Sequence, residues 1–550
     1  MWVSGDLRHG LLLDLYVDDE LIIKSDETFK VMEHSGYKEI GVVGYQTGYM
    51  EEYNSNSADA FYYMEDFDDS SWAYAKERKY IDYILERQEV KLLNFEYIKP
   101  VSLKRKDYGY FIDFGSIFVG ELLIKAKGSK NQLITIHYGQ ELNDDGRVRF
   151  NLRSNCDYEE KWILSGMEDS LDLFDYKSFR YVDLVFNNDI EIIDVKLKAR
   201  HYPFKENTKL KNELNDLKDI FELASSSLKY GVQDVIQDCM DREKGFYVGD
   251  GCYSALTHMI LTGDSSICKK LIKDALHSTF ITPSTVTCLD CSFMQEIAEY
   301  PLILISLVAW YYNYTKDIEL VRESIPKMKL ILDSYKEEYE NDYLLSNLDK
   351  WCVVEWPKNF QHGYAVDINE GKVCIEPHIA INAYYFEAIN TLNYLFKVSG
   401  LNEYRDSTPI KNKILNTFYD NDKHLFNDGI KIKHTSYVGN IFAYAFNLFP
   451  LGEDEKMLEM IEENGLSSVL FFAGFPLMKA LMEKNKEGLL YKFIGSDKTY
   501  RRMIKEGATR TFEGWGKDVK WNTSLFHLTL CDCLLFIMDI DIKKIFNIKL

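Results

Sequence analysis

The stretch Gln237–Gly251, QDCMDREKGFYVGDG, places Asp238, Asp241, Glu243 and Asp250 around Arg242 and Lys244. Asp238, Glu243 and Asp250 are five and seven residues apart, a spacing that does not share one helix face. On a loop they could still converge on one pocket. Hydrolysis of a glycosidic bond needs two carboxyl groups flanking it, one protonated and one ionised. Crowded carboxylates raise the pKa of one of their number, which can then donate a proton. Arg242 could orient an acid or bind a hydroxyl. Acids and bases on a loop between helices are usually no more than solvated charges, so the stretch alone leaves both readings open.

The elements that must hold this loop change character near residue 204. Before it, YFIDFGSIFVGELLIKAKG, NQLITIHYGQEL, YEEKWILSG, FRYVDLVF and IEIIDVKLKARHY alternate with period two between turn residues, which predicts antiparallel strands. NDDG at 143–146 is a hairpin signal. The strand spacing suggests β-sandwich modules, 1–100 and 101–203. After 204, TKLKNELNDLKDIFELASSSLKYGVQDVI and later runs such as GCYSALTHMILTG, SFMQEIAEYPLILISLVAWYYNYT, PHIAINAYYFEAINTLNYLFKVSG and NTSLFHLTLCDCLLFIMD carry apolar residues at helical steps. About a dozen helices without a short sequence repeat fit successive helical hairpins closed into an (α/α)6 toroid over 204–550. The acidic stretch then joins the first two toroid helices. The second begins near Gly251, with Asp250 at its start, where exposed N–H groups stabilise an acid.

The run Asp238-Cys239-Met240-Asp241-Arg242-Glu243-Lys244-Gly245-Phe246-Tyr247-Val248-Gly249-Asp250 resembles the Asp-Cys-Pro-Gln-Arg-Glu-x-x-Gly-Trp-x-Gly-Asp pattern of the α-L-rhamnosidases of glycoside hydrolase family 78. A second stretch, EGATRTFEGWGKDVKWNTSLFH at 506–527, resembles that family's Gly-Ala-Thr-x-x-x-Glu-x-Trp followed by Ser-Leu-x-His. The resemblance implies a β-sandwich region followed by the toroid, and an inverting exo-glycosidase that releases terminal α-L-rhamnose. It makes Glu243 the general acid and Glu513 the general base. Asp238 and Asp250 would hold sugar hydroxyls, with Arg242 helping, and Tyr247 would wall the pocket. His527 would contact the sugar, and Trp515 is an aromatic of the motif. WCVVEWPKNF resembles a segment carrying a substrate-facing Trp, here Trp356, although a core or interface Trp is the other reading. Glu296 and Glu299 read as ordinary helix acids.

Inversion predicts the two catalytic carboxyls roughly 6.5–9.5 Å apart, with room for a water. Glu243, among Asp238, Asp241 and Asp250, is expected to titrate high, while Asp238 and Asp250 stay ionised. The pattern departs from the family's at Met240 and Asp241, which replace Pro-Gln. Tyr247 replaces Trp and puts the sugar's identity at stake more than the chemistry. With 23 residues following His527, the family's usual C-terminal β-domain is expected to be absent. If that domain covers a toroid face, the chain is expected to be marginal in stability or a homo-oligomer. Two other readings stay open: a glycosidase of this fold acting on another deoxy- or uronic-sugar glycoside, and a carbohydrate-binding protein without catalysis.

Composition bounds the alternatives. The chain has 550 residues, 46% of them hydrophobic and 28% charged, which is globular and too long for one core. Aromatics reach 14%, with 38 Tyr and 32 Phe, serving sugar-gripping faces or large cores. A net charge of -22 without a basic stripe argues against nucleic acid and anionic membranes. No apolar run is long enough to span a bilayer and no secretory leader precedes the first strands, so a cytoplasmic protein with reduced thiols is expected. The ten cysteines follow no disulfide spacing. Cys288/Cys291 and Cys531/Cys533 fall short of a four-ligand zinc site, no calcium loop stands out, and the mechanism needs no metal or cofactor.

Overall fold

The computed structural model describes residues 10–44, 48–57, 59, 62–77, 87–171, 173–278, 283–289, 296–366 and 375–548. They divide into two compact units, one of Met1–Glu89 with Phe95–Arg200 and one of Val90–Asn94 with His201–Leu550.

The first unit is built of strands. β1 (Asp14–Val17) and β2 (Glu20–Lys24) form a hairpin, and β3 (Lys30–Val31) pairs with the distant β6 (Ala73–Tyr74). The main sheet holds ten strands: β4 (Tyr37–Val42), β5 (Tyr49–Asn54), β7 (Asn94–Ile98), β8 (Ser102–Lys106), β9 (Gly109–Lys127), β10 (Leu133–Gly139), β11 (Glu159–Ile163), β12 (Glu168–Ser170), β13 (Lys177–Val185) and β14 (Glu191–His201). Its order is β4-β5-β11-β10-β13-β9-β14-β7, with β8 and β12 also on β9. Five of these strands coincide with the alternating runs, and the period-two burial of β10 and β14 is the pattern a half-buried strand needs. The NDDG turn closes where Leu142 and Val148 bridge. The division expected near residue 100 does not separate two sheets. β5 runs parallel to β11, so strands from both sides of that position share one sheet. Pairing of strands distant in sequence leaves no mark on local periodicity.

The second unit is helical, with fourteen α-helices among the described residues. They are α1 (Lys218–Gly231), α2 (Val248–Thr262), α3 (Ser266–His277), α4 (Tyr300–Thr315), α5 (Ile318–Tyr339), α6 (Ile379–Val398) and α7 (Thr408–Phe418), followed by α8 (Tyr437–Ala445), α9 (Glu455–Asn464), α10 (Phe471–Glu483), α11 (Glu487–Ile494), α12 (Tyr500–Lys505), α13 (Leu534–Ile537) and α14 (Ile542–Phe546). Two kinds alternate along the chain. α2 and α8 are buried at every residue and α10 at all but its last, as their apolar sequences require. α3, α7, α9 and α11 bury one stripe and leave the rest half-buried or exposed. α2 packs on α4, α4 on α6, α6 on α8 and α8 on α10. α10 packs on the 3₁₀ turn Thr529–Cys533, which packs back on α2.

Two sequence expectations shift here. α2 starts at Val248, so Asp250 lies in its first turn. The run 522–539 is helical only from Thr529 onward. Its first residues pair instead with the acidic loop, because Met240 N–H donates to Phe526 O and Leu528 N–H to Asp238 O. No helix is long and apolar enough to cross a membrane among the described residues.

Candidate active site

The two motifs form one buried cluster in the helical unit. Backbone bonds set the frame. Cys239 bridges His527, Glu513 N–H donates to Ser524 O, and His527 N–H donates to Thr511 O. Tight packing fixes the acidic loop. A side chain on Gly245 would meet the Tyr247 ring at 2.7 Å, and one on Gly249 would meet the Tyr300 ring at 2.3 Å. The glycines at these positions let both rings close on the loop.

Arg242 is the centre of the cluster. Nη2 lies 2.9 Å from Glu243 Oε2 and donates to Glu513 Oε1 at 3.3 Å. Nη1 donates to Glu513 Oε2 at 3.3 Å and to Asn522 O at 2.6 Å. The nearest oxygens of Glu243 and Glu513 therefore share one nitrogen, and their separation cannot exceed those two lengths laid end to end. Glu513 also pairs with the Lys520 ammonium and accepts the Ser524 N–H at 3.0 Å. Asp241 accepts the Ser524 hydroxyl at 3.0 Å, tying the two motifs together a second time.

The charge pattern reverses an expectation. Burial pushes the Asp238 carboxyl well above the usual range, and the neighbouring Glu243 charge adds to this. Burial also opposes ionisation of Glu243, but the Arg242 charge and the hydrogen bonds from Asp238 and Arg242 outweigh it and hold Glu243 below its ordinary value. These directions favour the proton on Asp238 over Glu243. The reason is position: Arg242 touches Glu243, whereas Asp238 receives the Gly245 N–H at 2.9 Å and faces another acid. Asp250 does not stay ionised either. Burial raises it to about 7, against the lowering effect of the Tyr300 hydroxyl, which donates to Oδ2 at 2.9 Å. Burial also opposes the charge on Glu513, yet Arg242 and Lys520 keep that carboxyl well below the usual range. Burial takes the His527 imidazole down to about 4. Its Nδ1 meets Thr529 Oγ1 at 2.9 Å and its Nε2 stands 4.0 Å from Asp238 Oδ2.

The aromatic residues separate. Tyr247 is half-buried at the N-cap of α2, and burial raises its phenol, with the Glu243 charge contributing. Trp356 is half-buried, with the Lys520 ammonium 5.1 Å from its ring centroid and Trp351 edge-on at 5.8 Å. Trp515 is 2% exposed, its indole N–H donates to Val469 O at 2.6 Å, and it packs edge-on against Tyr500. Trp515 therefore packs the segment that carries Glu513.

Sequence reasoning missed four groups. Lys520 on Glu513 and Tyr300 on Asp250 have no local signature. Glu355 accepts four backbone N–H groups, and its signal was a lone acid in the apolar run CVVEWP. Glu299 is no surface acid, because it is buried and accepts the N–H groups of Val353 and Val354 at 3.1 and 3.0 Å. Glu296 pairs with Lys350.

One group of three possible metal-ligating side chains is found among the described residues: Asp238, Cys239 and Glu243, with ligand atoms within 4.8 Å of one another. Arg242 already supplies positive charge there, 2.9 Å from Glu243. Eight cysteines, among them Cys288, Cys531 and Cys533, are buried free thiols; Cys291 and Cys374 lie outside the described residues.

Residues 206–539 match the bacterial α-L-rhamnosidase six-hairpin glycosidase domain, and residues 103–201 match the bacterial α-L-rhamnosidase concanavalin-like domain. The α-L-rhamnosidase of Dictyoglumus thermophilum has a similar structure, with a TM-score of 0.74 at 20% identity over 94% of this chain and 59% of that one. The Streptomyces avermitilis α-L-rhamnosidase complexed with L-rhamnose gives 0.73 at 15% identity over 94% and 50%. The native Aspergillus terreus enzyme gives 0.74 at 16% over 94% and 61%. These likenesses are of fold, and the chain spans about half to three fifths of the length of these three. No curated protein matches in sequence. Because the six-hairpin match alone runs over more than half the chain and takes in both halves of the carboxylate cluster, this chain belongs to the bacterial α-L-rhamnosidase family.

Proposed function

We propose that the chain is an inverting exo-glycosidase that releases terminal α-L-rhamnose from oligosaccharides or glycoconjugates. Glu243 acts as general acid and Glu513 as general base in a catalytic domain over 204–550. The order in which the buried helices pack, returning from the 3₁₀ turn Thr529–Cys533 to α2, supports an (α/α)6 toroid around that site. The observation that carries the reading is the meeting of Glu243 and Glu513 on one guanidinium nitrogen. Two carboxyls from opposite ends of the helical unit, a Glu243 beside an Asp238 whose burial favours its protonated form, and a Glu513 that Arg242 and Lys520 hold toward its charged form are the parts of an acid/base pair.

On this reading substrate hydroxyls enter between Arg242 and the acids. Arg242 then relaxes its hold on Glu243, which takes up the proton now held by Asp238 and passes it to the leaving oxygen. Glu513 takes the proton of the water that attacks the opposite face. Asp238, Asp250 and His527 line the −1 sugar, and Tyr247 and Trp356 wall it. Trp515 supports Glu513 rather than the sugar. The two oxygens that share Arg242 stand closer than the roughly 6.5–9.5 Å that separates the carboxyl groups of an inverting pair. Inversion then needs Glu243 to draw away from Arg242 as sugar and water enter, while the Arg242 fork stays on Glu513.

Glu243→Gln and Glu513→Gln should each lower turnover of an aryl α-L-rhamnoside by orders of magnitude, with folding retained. Early NMR spectra of the released sugar should show the β-anomer first. Wild-type turnover in either variant would sink the assignment, and an α-anomer first would sink inversion.

A further inference from the structure

Glu513 has all of its acceptor positions filled. A carboxylate offers about four lone-pair sites, two on each oxygen. Oε2 takes Arg242 Nη1 at 3.3 Å and the Ser524 N–H at 3.0 Å. Oε1 takes Arg242 Nη2 at 3.3 Å and the Lys520 ammonium. A general base must accept a proton from a water within hydrogen-bond reach, about 2.6–3.2 Å. In this arrangement no acceptor site faces a water, so one donor has to leave before Glu513 can act.

The four donors differ in their freedom to move. Ser524 donates from the backbone, in a segment whose carbonyl accepts the Glu513 N–H. The two Arg242 donors belong to one rigid fork that is also bound to Asn522 O at 2.6 Å. Lys520 is a single-point cation on a flexible four-carbon stem. Its backbone is held, since its N–H and its carbonyl both bond to the Thr523 hydroxyl, at 3.1 and 2.9 Å. While on Glu513 its ammonium already stands over the Trp356 ring, 5.1 Å from the centroid, an aromatic face that attracts a cation and toward which it can shift.

We propose that Lys520 is a positioning residue that covers the base and yields its place on Glu513 Oε1 to the attacking water as substrate binds. The ammonium moves toward Trp356 and the substrate's hydroxyls. The water then gives one proton to Oε1 as its oxygen bonds to the anomeric carbon, and the glycosidic C–O bond breaks with the leaving oxygen taking the proton of Glu243. This inference rests on Glu513 being the base.

The test compares wild type, Lys520→Met, Lys520→Arg and Glu513→Gln on an aryl α-L-rhamnoside across pH. Methionine keeps an apolar stem against Trp356 and removes the donor. Lys520→Met is expected to raise kcat by about threefold or more. It should also move the acid limb of kcat/KM to higher pH, because Glu513 loses a cation that lowers its pKa. Lys520→Arg should lower kcat, since a two-point donor releases a carboxylate less readily. In a crystal structure with L-rhamnose bound, the wild-type Lys520 Nζ should stand beyond hydrogen-bond reach of Glu513. A Lys520→Met kcat at or below that of wild type, or Lys520 still on Glu513 beside the bound sugar, overturns the proposal. If Glu513→Gln keeps wild-type activity, the assignment of the base fails first and the role of Lys520 falls with it.

Discussion

Arg242 and Glu513, 271 residues apart, meet as a two-point fork, Nη1 on Oε2 and Nη2 on Oε1, each at 3.3 Å. The fork joins the loop before α2 to the last part of the helical unit, and its Nη2 also reaches Glu243. Lysine keeps the charge and loses the fork. Arg242→Lys should lower kcat/KM by about 10²-fold, the scale of misplacing a reacting group by an ångström. Arg242→Met leaves buried carboxylates without their main partner and should reduce stability by about 3–5 kcal/mol, read by urea unfolding. Full activity in Arg242→Lys would show that charge alone suffices.

Asp250 gives a pH test. Burial raises its folded value to about 7 from an ordinary 3.8. Between roughly pH 4 and pH 7 the folded chain keeps a proton that the unfolded chain releases, so stability falls as pH rises through that window. The change is on the order of 4 kcal/mol at most. Urea unfolding of wild type and Asp250→Asn at pH 5 and pH 8 isolates it. The wild type should lose stability relative to the asparagine variant on going to pH 8. A pH-independent difference would show that Asp250 titrates normally.

Trp515 and Trp356 should part in their effects. Trp515→Phe removes the donor to Val469 O and leaves a buried carbonyl without it, a loss of about 1–3 kcal/mol with KM held. Trp356→Ala should raise KM, with a loss of stability from the covered part of the ring, so KM is the readout that separates it from Trp515. The opposite pattern would exchange their roles.

What was legible in the sequence is what is local. The long strand β9, the buried helix α2 and the two carboxylate motifs each announce themselves within about twenty residues. Binding roles for Asp238 and Asp250 could be assigned by motif, but their protonation could not. It depends on which acid Arg242 touches and on Tyr300, fifty residues from Asp250. The run NTSLFHL has helical composition, yet it forms no helix because Phe526 and Leu528 pair with the acidic loop. Lys520 was invisible for the same reason: a lysine in a polar turn reads as solvated until the fold sets Glu513 against it.

Glu355 is the last case, and it tests how Trp356 is held. Its Oε1 accepts the N–H groups of Trp356 at 2.9 Å and Phe472 at 3.3 Å. Its Oε2 accepts those of Leu470 at 3.0 Å and Ala473 at 2.9 Å. Three of these belong to the N-cap and first turn of α10, whose N–H groups have no partner within the helix. The fourth is the backbone of Trp356 itself, so one fully buried carboxylate fastens the pocket wall to a helix of the core. Glutamine keeps the shape and replaces one acceptor oxygen with a donor, which leaves two N–H groups facing an N–H. Glu355→Gln should lower stability by about 2–4 kcal/mol. Because Trp356 is released at the same time, KM for the aryl rhamnoside should rise several-fold while kcat at saturation changes little. Urea unfolding and steady-state kinetics on the same preparation read both effects. A variant that loses stability but binds substrate as the wild type does would confine Glu355 to fastening α10 and cut its link to Trp356.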